Sequence, residues 1–175
     1  MAERMAAEIT IGGTIPASLV PQLCSTITEE GVSHAWGDAP LCPQSAADLL
    51  DTLSDGLLWL CDHQASWGQF EALERWLELH HVPFDRKSDG KYEYDAEMVL
   101  YRPHLPELLC FITDASGEPV VPASKLKPVD EALSRARREP TRSGMLEAVR
   151  AAQRLLQSAL PPSLGPMEPF RISGS

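Results

Sequence analysis

No unbroken apolar run in this chain exceeds the five residues of LLWLC at 57–61, far short of the roughly 20 that a membrane-spanning helix needs. The first residues include Glu3 and Glu8 and no secretory hydrophobic stretch, so a cytoplasmic location is expected. Cysteine is sparse. Cys24, Cys42, Cys61 and Cys110 form no C-x-x-C pair, which excludes a zinc knuckle and argues against a disulfide frame. Cys24 and Cys61 fall in apolar segments and read as packed thiols; only Cys42, between Pro40 and Pro43, reads as exposed. G-x-x-x-x-G-K-[ST], G-x-G-x-x-G and G-x-S-x-G are all missing, so no phosphate-binding loop, dinucleotide fingerprint or nucleophile elbow is present. Nothing in the sequence calls for a cofactor or a metal.

With 43% hydrophobic and 23% charged residues in 175, the chain has a globular composition that supports one substantial core and an appendage. The charge is divided unevenly. Residues 1–122 carry 20 acidic and 6 basic side chains, a net of -14, and residues 123–175 carry 5 acidic and 9 basic, a net of +4. An acidic body repels nucleic-acid phosphates, whereas the basic end can meet a phosphate, an acidic partner or the body itself.

Residues 8–11 alternate as a strand and end at Gly12 and Gly13, after which Leu19, Leu23 and Ile27 recur at helical spacing and Gly31 stops the helix. Residues 32–36 predict a short second strand. Ser45 with Asp48 three residues on predicts an N-cap and a short helix to Leu53, with Leu49, Leu50 and Leu53 towards a core. The run 57–61 lacks alternation and predicts a strand covered on both faces. From Ser66, read as an N-cap, Phe70, Leu73, Trp76 and Leu77 predict the most strongly amphipathic helix, ending before Pro83. Residues 82–87 and 91–95 predict a hairpin turning at Ser88, Asp89 and Gly90, and 98–102 and 108–113 predict further strands.

This order, strand-helix-strand-short helix-strand-helix-strand, resembles two consecutive β-α-β units of the ferredoxin-like plan with extra strands added. The expected fold class is therefore α+β, with a mainly antiparallel sheet, ferredoxin-like β-α-β units, extra strands and a C-terminal helical extension. The resemblance concerns architecture and implies no activity. The expected organisation is a core domain over 1–115, a helical extension over 116–160 packed on the core or on a partner, and an extended or disordered tail over 161–175, rich in proline.

Four constellations carry possible chemistry. Cys61, His63, His80 and His81 include zinc-type ligands, but a helix of about 15 residues would hold the two pairs on the order of 20 Å apart. Residues 85–97 contain D-x-x-x-D-G followed by Glu93, yet Lys87 and Ala96 stand where a calcium loop needs oxygen ligands. Gly12 and Gly13 before a helix read as a turn. The fourth set joins aromatics to charge: Arg86, Tyr92, Tyr94 and Arg102 on a half-exposed sheet suit a recognition surface, and Asp62, His63 and Asp85 suit weak acid-base catalysis.

The leading expectation is a cytoplasmic macromolecule-binding protein, not an enzyme, using Arg86, Tyr92, Tyr94 and Arg102 to engage a protein partner or a second copy. A small enzyme built on Asp62, His63 and Asp85 is the alternative. Nucleic-acid binding through Arg135, Arg137, Arg138, Arg142, Arg150 and Arg154 is a further alternative that the acidic body disfavours, and mimicry of nucleic acid by that body is compatible with its charge.

Overall fold

The structure is a computed structural model that describes residues 3–92 and 94–174; Glu93, named above with the calcium-like loop, lies outside the described residues. The chain divides into two compact units, one formed by Met1–Glu118 with Pro166–Ser175, the other by Pro119–Gly165.

In the first unit, alternation of small and β-branched residues makes a strand, β1 (Arg4–Ile11), whose Ala7, Ile9 and Ile11 are buried. A short strand β2 (Thr14–Pro16) and a single 3-10 turn lead into α1 (Val20–Glu30), where Pro21 sits in the first turn and Gly31, at φ 73°, closes the helix in the left-handed region. Helix α2 (Ala46–Asp51) has the expected cap: the Asp48 N–H donates to Ser45 Oγ at 3.3 Å and the Ser45 N–H donates to Asp48 at 3.0 Å. It ends sooner than the sequence suggests. Leu53 belongs to a two-residue strand β3 (Leu53–Ser54), and Leu50 faces solvent instead of the core.

Strand β4 (Leu57–Ser66) contains the apolar run and lies between β3 and β1. Helix α3 (Glu71–Leu79) follows, then β5 (Phe84–Ser88), β6 (Ala96–Tyr101) and β7 (Leu109–Thr113). The six-stranded sheet has the order β3-β4-β1-β5-β6-β7, and every neighbouring pair is antiparallel. The fold class is therefore α+β with a mainly antiparallel sheet. The expected strand at 32–36 shrinks to one bridge, Ser33 with Cys61. Because that bridge and β1 both run antiparallel to β4, the order is consistent with split β-α-β units, β1-α1-Ser33 and β4-α3-β5.

Two expectations are corrected. Ser66 ends β4 and does not cap α3, because Trp67 and Gly68 both take positive φ (58° and 64°) and no helix can begin through them. Strand β5 pairs with β6 and not with the expected strand after Gly90, where Lys91 and Tyr94 bridge to each other. In the proline-rich end, β8 (Arg171–Ser173) lies parallel to β2, and Phe170 is buried in the core. Gly12 and Gly13 accommodate this return. A Cβ on Gly12 would collide with the Glu168 carbonyl, and the Gly13 N–H donates to that oxygen at 2.9 Å.

The core forms where α1 and α3 cover one face of the sheet, with Leu23 and Ile27 from α1, Leu73, Trp76 and Leu77 from α3, and Ile9, Leu58 and Leu60 beneath them. Each fully buried aliphatic side chain here contributes about 1.5–3 kcal/mol. The two helices are also joined by a cap. Helix α3 has no capping side chain of its own at Phe70; instead Glu30 at the end of α1 accepts from the Ala72 and Leu73 N–H groups, each at 3.1 Å, and Glu74 accepts from the Phe70 N–H at 2.8 Å.

In the second unit, α4 (Ala123–Ala136) and α5 (Arg142–Ala159) form a helical hairpin. Pro128 is accommodated inside α4, and Thr141 caps α5 by accepting from the Gly144 N–H at 3.1 Å. Among the described residues, no helix is long and apolar enough to cross a membrane.

Replacing Glu30 with Ala removes the acceptor of two helix-terminal N–H groups and should cost about 1–2 kcal/mol in urea unfolding. Burial raises the Glu30 pKa above its ordinary 4.5, against the lowering effect of the two N–H groups. Ionisation is therefore harder in the folded state, and the contribution of Glu30 to stability falls as pH rises from that value through the folded one. Glu30→Gln, which keeps an acceptor and cannot ionise, should flatten the pH dependence of stability in that interval.

Candidate functional site

Alternation along β5 sends Phe84, Arg86 and Ser88 to the helix-covered face and Asp85 and Lys87 to the opposite face. Arg86 is consequently buried, only 2% exposed, under α3. Its Nε lies 2.9 Å from Glu74 Oε1, its Nη2 donates to Glu97 Oε2 at 2.6 Å, and its Nη1 donates to the Gly68 carbonyl at 2.8 Å. Burial raises the Glu74 pKa despite the guanidinium beside it. Burial acts in the same direction on Glu97, but hydrogen bonds from Cys110 and Arg86 outweigh it and hold that carboxyl below its usual range. Arg102 is buried too, donating through both Nη atoms to Asp85 at 2.6 and 3.2 Å. Both arginines expected on a contact surface are thus internal ties.

The acid-base set is dispersed. Asp62 and His63 alternate to opposite faces of β4. The Asp62 carboxylate accepts from the Gln64 N–H at 2.9 Å, where β4 bulges against β1. His63 stacks on Trp36 with ring centroids 4.6 Å apart, and Asp85 is held by Arg102. With β1 between their strands and four residues of offset in register, His63 and Asp85 are separated by about 16 Å. His80 instead packs against Trp76 at 4.4 Å.

The tyrosines remain, joined by a residue that sequence reasoning missed. Gly68 is fixed from both sides: its carbonyl accepts from Arg86, and a Cβ there would lie 2.5 Å from the Ser88 Cβ. With its own N–H donating to the Glu3 carbonyl at 2.8 Å, Trp67 is turned outward and is 42% exposed. Tyr94 meets it edge-on, 5.4 Å between centroids and 70° between planes. Tyr94 in turn exchanges backbone hydrogen bonds with Lys91 at 2.9 and 3.0 Å. Tyr92 stands at the tip of that turn with φ 54°, 86% exposed, so it shares no strand face with Tyr94. The signal for Trp67 was its position between a strand end and a glycine, and the helical periodicity beginning nearby obscured it.

Trp67 forms part of the wall of two clefts. One, of about 700 Å³, runs beside α3, with Leu79 and Trp76 as apolar surface and Glu29, Glu71 and Arg75 around it. The other, of about 390 Å³, lies over β6 and β7, bounded by Tyr94, Met5 and Ile112 with Asp95 and Glu97. A third, of about 520 Å³, opens on the opposite face of the sheet between Trp36, Glu8, Lys87 and Asp114. Cys61 is buried on that opposite face, and burial together with the nearby Glu8, Asp62 and Asp38 carboxylates pushes its thiol up to about 11. Cys110, on the edge strand β7, is exposed, contrary to the sequence expectation; partial burial of its sulfur and a hydrogen bond to Glu97 push it up to about 11 as well.

Comparisons with protein-family models, with curated proteins and with solved structures found no match to this chain.

Arg86→Met should lower stability by about 3–5 kcal/mol in urea unfolding, since it leaves the Glu74 carboxylate buried without its counter-charge, and adding Glu74→Gln should recover part of the loss. In alkylation at pH 8, Cys42 should react first, with Cys61 and Cys110 slower because both thiols are held protonated; mass mapping of the labelled peptides gives the order.

Proposed function

We propose that the chain is an interaction module that holds a protein partner at the Trp67–Tyr94 wall, with Tyr92 beside it. The observation that supports this reading is a strained backbone spent on exposure: two successive left-handed residues, Trp67 and Gly68, are kept in place by Arg86, and their effect is to present a large aromatic ring to solvent. Exposed aromatic anchors between clefts are where binding energy concentrates in protein interfaces. Leu79, 70% exposed, extends the apolar surface beyond the larger cleft. Around the two clefts lie Glu29, Glu71 and Asp95 against Arg75, and residues 1–122 are strongly acidic, so the partner segment suited to this wall carries basic residues flanking an apolar or aromatic anchor. A cytoplasmic setting belongs to the same reading.

A photo-crosslinking amino acid at position 94, exposed to extract of cells that make the chain, should give a discrete adduct that unlabelled protein competes away. Trp67→Ala should abolish it, and the same probe at the exposed His104 should not form it. Identical adducts from positions 94 and 104, unaffected by Trp67→Ala, would overturn the proposal.

A further inference from the structure

The helical hairpin is poorly filled for a unit of its size. Within residues 119–165 the buried cluster consists of Val129, Ala132 and Ala152, while Leu126, Leu133, Met145, Leu146, Leu155 and Leu156 are between 38% and 46% exposed. Units below about 70 residues rarely stand on one small core and rely on disulfides, a structural metal or oligomerisation. This unit contains no cysteine, and among the described residues no group of side chains could hold a metal ion. Two amphipathic helices with a second apolar surface left open are half of a four-helix bundle.

We infer that the hairpin is a homodimerisation element, in which α4 and α5 pack on the same helices of a second copy about a two-fold axis. The occupant is specified by the groove between the helices, of about 390 Å³, where Leu133, Met145 and Val149 are flanked by Asp130 and Arg137. Those two charges lie seven residues apart on one helix face, about 10.5 Å along the axis. Neither joins a salt bridge among the described residues. When α4 meets an antiparallel copy of itself with the axis passing between Leu133 and Ser134, position 130 of each chain faces position 137 of the other, giving two opposite-charge pairs. The same register places each Leu133 over the smaller Ser134 of the second copy, a knob over a hole. A two-fold interface requires this self-complementarity, and a groove shaped for an unrelated partner does not.

Sedimentation of the full chain at tens of micromolar tests the inference, with twice 19.2 kDa expected. Asp130→Arg and Arg137→Asp, both at exposed positions, should each weaken the dimer by at least about tenfold, which corresponds to about 1.4 kcal/mol, and the double swap should restore it, because every facing pair is again opposite in sign. Leu133→Glu should give single copies, and circular dichroism of the charge variants separates loss of association from loss of helix. A full chain that sediments as one copy, whether its helices are free or docked on its own body, would overturn the inference, as would a double swap no better than either single change. Crosslinking at position 94 does not depend on these variants, so failure here is distinct from failure at the Trp67 wall.

Discussion

The guanidinium of Arg86 ties together three segments of the first unit that are separate in the sequence. It comes from a central strand, and its partners are a carboxylate on α3, a carboxylate on β6 and the carbonyl of Gly68. A charge at 2% exposure is tolerated only when its hydrogen-bonding capacity is used and counter-charge is supplied. The carboxylates around Arg86 therefore help to hold α3 against the sheet, and its hydrogen bond to the Gly68 carbonyl fixes that peptide. The outward turn of Trp67 is a consequence of that last contact. The candidate surface is thus a product of an interior ion network.

Helix α3 illustrates how distributed its support is. Its apolar face packs on β4 and β1, Glu30 reaches across from α1 to cap its start, and Glu74 both accepts from the Phe70 N–H and faces Arg86. Carboxylates at the start of a helix complement its dipole, so the acidic excess of this region has local uses. Asp48 caps α2, Glu30 caps α3, and Asp85 and Glu97 hold arginines. The surplus is what remains to shape the surroundings of the clefts.

Much of the fold was legible in the residues. The unalternating run at 57–61 is a strand inside the sheet, Ser45 with Asp48 forms a capping box, Gly31 ends α1 and the stripe of Leu73, Trp76 and Leu77 is the buried face of α3. Two of the errors share a physical origin. Ser66 looks like a cap until the positive φ of Trp67 and Gly68 intervenes, and Tyr92 looks like a strand residue until the same conformation places it at the tip of a turn. The first depends on contacts with residues distant in sequence, Glu3, Arg86 and Ser88. The candidate site was half legible: Tyr94 is part of it, Trp67 was overlooked, and Arg86 and Arg102 were counted at a surface from which they are withdrawn.

Local chemistry by itself determined the boundaries that caps and glycines mark, such as the Ser45–Asp48 box and Gly31, because periodicity, caps and glycines act over a few residues. It also determined that the two ends of the chain differ in charge. Which face of the sheet each strand presents, which carboxylate each arginine meets and which aromatic ring is left in water were decided only by the tertiary structure. One bulge in β4 and one buried guanidinium redirect side chains that their own neighbourhoods would have sent elsewhere, and a pairing made across the sheet leaves no trace in the spacing of residues along the chain.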